Sequence, residues 1–356
     1  MRVVLSGFSV SLVLGLAASA ASGADIEAAR QLAKSMVLPA VAPAPHDNPS
    51  TLAKVELGKQ LFFDSRLSID GSVSCNSCHN VMSSGTDNRG GSVGVRGQVG
   101  GRSSPTVFNA AFLSALMWDG RKTTLEDQST GPLTNPVEMA MPSNDAVVER
   151  LKQIDGYKKA FAKAFGPGDS LTIQNYSKAV AAYERTLITP NSPFDKWARG
   201  EKKALSPEAQ RGFAIFAETG CVSCHSGPAF AGPNLPVGTA FFQKFPTYAD
   251  NAYVKKYDFL ADEGRKNVTK EESDNHMFRV PTLRNIATTA PYFHNGKVAT
   301  LDEAIRVMAK VQLNKELPDR DVKDIFAFLK SLTGKIPEQK MPRLAETIGR
   351  TFTPAQ

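Results

Sequence analysis

The chain has four cysteines, and each pair encloses two residues and is followed at once by histidine: Cys75-Asn76-Ser77-Cys78-His79 and Cys221-Val222-Ser223-Cys224-His225. This pattern can attach haem covalently. Two thiols add to the porphyrin vinyl groups while the adjacent imidazole, carried on the same turn, reaches the iron from one side. Three other chemistries use closely spaced cysteines: a thioredoxin-like dithiol, a split zinc site and structural disulfides in an oxidising compartment. Each of these leaves both histidines without a role, and no cysteine is left over. Two c-type haems are therefore expected, with His79 and His225 as proximal ligands.

The N-terminus fits an oxidising destination. Met1-Arg2 precedes an apolar run from Val3 to Ala18, and small residues follow through Ala24. Residues 1–24 read as a secretory signal peptide, giving a soluble periplasmic protein that starts near Ala21 or Asp25. The apolar core is short for a membrane span, and no later segment approaches ~20 apolar residues, so no stable membrane insertion is expected. The formal charge of +7 comes from Lys and Arg scattered among acidic residues. Without a sustained basic block this is a solvated surface rather than a nucleic-acid site. At most, a basic face would steer an acidic redox partner.

At 356 residues, 42% of them hydrophobic and 22% charged, the chain can fill two globular cores. A weak internal repeat supports two units, because Gly58-Lys59-Gln60-Leu61-Phe62 precedes the first cysteine pair and Gly212-Phe213-Ala214-Ile215-Phe216 the second. Ser206-Pro207 is a good helix start, with a capping hydroxyl and proline at the first helical position. Helical periodicity recurs over 145–154, 173–187, 301–311 and 319–332, and no alternating strand pattern persists. The fold class is thus mainly α: two cytochrome c-like domains, 25–195 and 196–340, then a tail over 341–356. Glycine- and proline-rich stretches at 83–105 and 227–245 are expected to wrap the cofactors as irregular loops.

From about Leu52 to Thr333 the chain resembles the bacterial di-haem cytochrome c peroxidases, a family related to the MauG-type di-haem enzymes. The shared words are Gly58 to Ser68, Ser74 to Asn80, Pro105-Thr106-Val107, Trp118-Asp119-Gly120-Arg121, Gly131-Pro132, Val137-Glu138-Met139, Pro193-Phe194-Asp195-Lys196 and Pro291 to Gly296. The resemblance implies a peroxidatic haem in the N-terminal domain and an electron-transfer haem in the C-terminal one. It implies Met308 as the second ligand of the C-terminal haem; thioether ligation favours ferrous iron. Core packing is the competing reading, since Ile305 and Met308 share a helical face. Glu138 matches the family's distal acid–base glutamate, Gln128 its distal glutamine and Trp118 the tryptophan placed between the haems. A calcium ion is implied as well, on the carbonyls of Thr289 and Pro291. The family's asparagine ligand there is Ser103 in this chain.

A second departure concerns regulation. Many members carry a histidine in the loop after the first cysteine pair that ligates the peroxidatic iron in the oxidised state and leaves on reduction. This chain has Val95 at that position, and no histidine lies between His79 and His225. The peroxidatic iron is therefore expected to be open, or water-bound, without prior reduction. His46 and His276 read as surface residues, and His294 as a residue near a haem or the domain interface.

The leading function is reduction of hydrogen peroxide to water with electrons from a small periplasmic cytochrome c or a cupredoxin. A MauG-like enzyme that oxidises a partner protein is the second class, and Met308 argues against it because that branch carries tyrosine there. A di-haem electron carrier without catalysis is the third. The family often forms homodimers, although no interface signature is legible in this sequence.

Overall fold

A computed structural model describes residues 23–348. The expected leader lies outside the described residues except for its last two, as does the tail beyond 348. In the first half, α1 (Gly23–Ala33) is followed by α2 (Leu52–Phe63), the single turn α3 (Cys75–Cys78), α4 (Leu125–Thr134), α5 (Asn144–Lys152), α6 (Asp155–Phe165) and α7 (Ile173–Glu184). The second half runs through α8 (Pro193–Ala198), α9 (Pro207–Thr219), α10 (Ala252–Tyr257), α11 (Lys266–Thr269), α12 (Leu301–Leu313) and α13 (Asp319–Ser331). Strand structure among the described residues is confined to β1 (Phe242–Lys244) paired antiparallel with β2 (Met277–Arg279), Gln243 opposite Phe278. The mainly helical class read from periodicity is the class observed.

Local chemistry sets the helix starts. Thr51, Thr172 and Thr300 cap α2, α7 and α12 by accepting from main-chain amides of the first turn. Ser206 does so for α9, with Pro207 as its first residue. Both halves then build one motif. The helix before each cysteine pair crosses the last helix of its unit, and a glycine lies at each crossing: Gly58 against the carbonyl of Ala179, Gly212 against that of Asp324. A side chain there would collide with backbone, so the repeated glycine marks the closest approach of two helices. Gly58→Ala is expected to destabilise the fold by about 1–3 kcal/mol through forced separation of α2 and α7, read as a lowered Tm.

Two cores result, and they divide the chain less simply than its order does. The first gathers Leu57, Leu61, Phe62, Tyr157, Phe161, Tyr176 and Val180, and the second Phe194, Trp197, Phe213, Phe216, Phe230, Val307 and Phe328. Ala29, Ala33 and Met36, expected in the first domain by position, are buried in the second core. Ile336, Leu344 and Ala345, beyond or at the end of the second domain, pack on the first. The N-terminal arm is held by the fully buried Arg284–Asp195 pair at 2.9 Å, whose groups also bind the carbonyl of Met36 (2.7 Å) and the amide of Leu38 (3.0 Å). The C-terminal strap is held by Arg66 Nη2 donating to Ala345 O at 2.8 Å. Each unit thus borrows a terminus from the other.

Candidate haem centre

Both cysteine pairs open on one cavity of about 1020 Å³. In each half the cysteine pair forms a tight turn, the histidine amide donating to the carbonyl of the first cysteine at 2.9 Å. Ser74 and Ser77 close a capping box that fixes the first of these turns. His79 Nδ1 lies 3.0 Å from Pro105 O, and His225 Nδ1 3.0 Å from Phe230 O. A carbonyl can only accept, so each Nδ1 carries the proton and each Nε2 keeps its lone pair for a metal. Burial pushes both imidazoles below their ordinary range, which favours the neutral ligating form.

The competing cysteine chemistries fare poorly against this geometry. All four cysteines are free and line the cavity. Burial pushes Cys75 up to about 12 and Cys78 and Cys221 to about 11, the opposite of what a reactive dithiol needs. Among the described residues no three His, Cys, Asp or Glu side chains cluster to cage a metal ion. A large, mainly apolar cavity lined by paired thiols and one oriented imidazole from each half fits two covalently held haems.

The other candidate residues come together on the walls of this cavity: Ser103, Trp118, Gln128, Glu138, Thr289, Pro291 and Met308 all line it. Glu138 follows α4, and its Oε1 accepts from Asn135 Nδ2 at 2.8 Å. Burial raises the Glu138 carboxyl above its ordinary 4.5, with Arg121 and Asn135 pulling the other way. Gln128 lies on α4 in the turn after Leu125, which also faces the cavity. Trp118 packs against the second core from a segment of the first half. Its Nε1 donates to Ser103 O at 2.8 Å, and its ring meets that of His294 edge-on at 6.3 Å. On α12, Leu301, Ala304, Ile305 and Met308 form the stripe that faces the cavity.

Ser103 Oγ donates to Arg89 O at 2.9 Å and keeps its lone pairs, while its amide donates to His294 O at 2.7 Å. With the carbonyls of Thr289 and Pro291 it offers neutral oxygens only, a donor type that calcium accepts. His294 is 3% exposed and stacks on Phe278 at 4.6 Å. His276, read above as a surface residue, is half-buried, with Nδ1 2.9 Å from Asp262 O; its polar neighbours in sequence gave no sign of this contact.

Sequence reasoning missed two further residues. Asn135 orients Glu138, and an asparagine before proline three residues upstream of the acid was the only available hint. Arg279 is buried, lines the cavity and donates to Met117 O at 3.1 Å and Val280 O at 2.9 Å. Burial pulls its guanidinium down to about 10. Nothing in its local sequence distinguishes it from a surface arginine.

Residues 52–203 match the sequence model of di-haem cytochrome c peroxidase, and residues 209–333 that of cytochrome c. The chain is 44% identical over 297 residues to cytochrome c551 peroxidase of Nitrosomonas europaea, covering 83% of this chain and 84% of that protein. It belongs to the di-haem cytochrome c peroxidase family. Cytochrome c551 peroxidase of Pseudomonas aeruginosa is 43% identical over 310 residues, 85% of this chain and 84% of that one. Among solved structures, a MauG-like protein associated with microbial copper homeostasis superimposes with a TM-score of 0.72 at 28% identity, over 84% of this chain and 95% of that one. The family is a family of haem enzymes, and peroxidase activity with haem as cofactor follows for this chain. Among the described residues no helix is long and apolar enough to cross a membrane.

Proposed function

We propose that the protein is a periplasmic di-haem peroxidase in which the N-terminal site reduces hydrogen peroxide and the C-terminal site receives electrons from a small cytochrome c or a cupredoxin. The observation that carries this reading is one cavity lined by two cysteine–histidine haem sites, with the half-buried Glu138 carboxyl near the first and a thioether on the helix that lines the second. The overall reaction consumes one peroxide, two electrons and two protons and gives two waters. The haem, when bound, supplies the iron that binds peroxide and passes the electrons.

The chain's own residues supply position and protons. His79 and His225 each offer Nε2 as proximal ligand. Glu138 Oε1 is held by Asn135, which leaves Oε2 to move a proton from the near peroxide oxygen to the far one. Gln128 offers an amide donor that can hold a peroxide or water oxygen. Met308 offers a thioether that favours the reduced metal. Trp118 packs across the two halves and shortens the electron's path. The calcium site on Ser103, Thr289 and Pro291 belongs to this proposal as a structural ion between the halves.

Stopped-flow mixing of the haem-loaded protein with peroxide, followed by turnover with a reduced cytochrome c, tests the reading. Rapid reaction and sustained donor oxidation are expected. Two six-coordinate haems with no rapid peroxide reaction would indicate an electron carrier instead. Metal analysis after dialysis against chelator checks the calcium, expected at one ion per chain before treatment. MauG-like oxidation of a partner protein is the second reading; Val95, which leaves the first iron without a loop ligand, favours it, and Met308 opposes it.

A further inference from the structure

The two units share a register around their helix crossings. α7 meets Gly58 at Ala179, and α13 meets Gly212 at Asp324. Phe62 packs on Tyr183 with ring centroids 5.3 Å apart, as Phe216 packs on Phe328 at 5.1 Å. Five residues past each contact, Glu184 falls where the other unit has Leu329. Both side chains line the cavity, and both residues are 5% exposed. The second unit therefore presents a leucine to its cofactor space where the first presents a carboxyl.

That carboxyl has little to compensate its burial. Glu184 Oε2 has no hydrogen-bond partner among the described residues, and the hydroxyl of Tyr176 two turns earlier faces the sulfur of Cys75 rather than this carboxyl. The titratable and charged groups facing Glu184 are Tyr176 and Tyr183 on α7, Arg185 just after it, Glu126 on α4 and Cys75 on α3. Arg185 is engaged by Glu126 at 2.8 Å, and Cys75 becomes an uncharged thioether once haem is attached. An unpartnered carboxylate in such surroundings is held mainly as the neutral acid. Burial pushes Glu184 up to about 8, Arg185 opposing and Glu126 adding to the shift.

We propose that Glu184 is the redox-linked proton site of the N-terminal haem: when the iron accepts one electron, the Glu184 carboxylate accepts one proton from solvent, and reoxidation releases both. The iron–porphyrin core carries one net positive charge when ferric and none when ferrous. Ferric iron therefore draws the Glu184 titration downward, and reduction lets it return. Between those two titrations each electron brings a proton, so the electron enters without adding net charge to a buried site. Leu329 gives the C-terminal haem no such site.

The proposal rests on haem attachment at Cys75 and Cys78, and not on which haem meets peroxide. Haem counting by the pyridine haemochrome of each protein separates failed attachment from failed coupling. The decisive measurement is a redox titration of wild type, Glu184→Gln and Glu184→Leu between about pH 6 and 8, each haem followed by electron paramagnetic resonance. The N-terminal potential of the wild type is expected to fall as pH rises, approaching one proton per electron, and to be flat in both variants. The nearly isosteric Gln variant keeps the test available if the Leu variant folds poorly. An unchanged slope in Glu184→Gln, or a flat wild type, overturns the proposal.

Discussion

Replacing Glu138 by alanine is expected to slow the reaction with peroxide by about 10²- to 10⁴-fold, the range general acid–base catalysis contributes, while both haems stay attached. The haem-attaching residues are remote in sequence from Glu138, and its side chain packs in neither core, so the variant should fold. What it loses is a cavity-wall carboxyl held by a neutral donor, Asn135 Nδ2 at 2.8 Å, and so free to exchange a proton, whereas Asp119 on the same wall is tied up in ion pairs with Arg102 and Arg121. Asn135→Ala should therefore reproduce part of the loss. Its pH dependence carries a sign. Burial raises the Glu138 titration above 4.5, so the ionised form needed to take the first proton disappears as pH falls through that raised value. The acid limb of the rate in wild type should lie above that of an exposed glutamate and vanish in Glu138→Gln. Single-turnover stopped-flow across pH measures both, and an Ala variant reacting at the wild-type rate would remove Glu138 from the mechanism.

The residues that made the class legible share one property: their chemistry is written in adjacent positions. Cys75 to His79 and Cys221 to His225 announce themselves by spacing, Ser206-Pro207 announces a helix start, and Gly58 and Gly212 announce a repeat that the helix crossings explain. Glu184 was hidden because it ends a helix whose neighbours Ala181, Ala182 and Tyr183 are themselves buried. A glutamate closing such a run reads as the solvent edge until α4 and the cavity wall enclose it. Arg279 was hidden for the same reason on a three-residue strand. The exchange of termini between the two cores escaped too, because Ala29, Ala33 and Met36 form an apolar stripe that specifies burial but not its partner. Tertiary placement supplied the partner through Arg284 and Asp195, far away in sequence.

The fully oxidised protein is expected to react with peroxide without a reducing pulse, at a rate within about tenfold of the half-reduced form, a barrier difference of roughly 1.4 kcal/mol. Reductive activation needs an imidazole that can occupy the first iron and leave it. The loop that would carry one holds Val95, fully buried, whose amide donates to Glu138 O at 2.9 Å. Gly94 lies so close to the carbonyl of Val137 that a side chain could not fit between them, and its amide donates to Gln98 O at 2.8 Å. The loop is thus packed onto the segment that bears the distal acid. Besides the two proximal histidines, His294 is the one histidine on the cavity wall. It stacks on Phe278 within the second half and cannot serve the first iron without breaking that contact. A high-spin or water-ligated ferric signal from the N-terminal site is the expected spectroscopic counterpart. A low-spin bis-histidine signal, or rapid reaction only after half-reduction, would mean that His294 or another imidazole moves further than this packing allows.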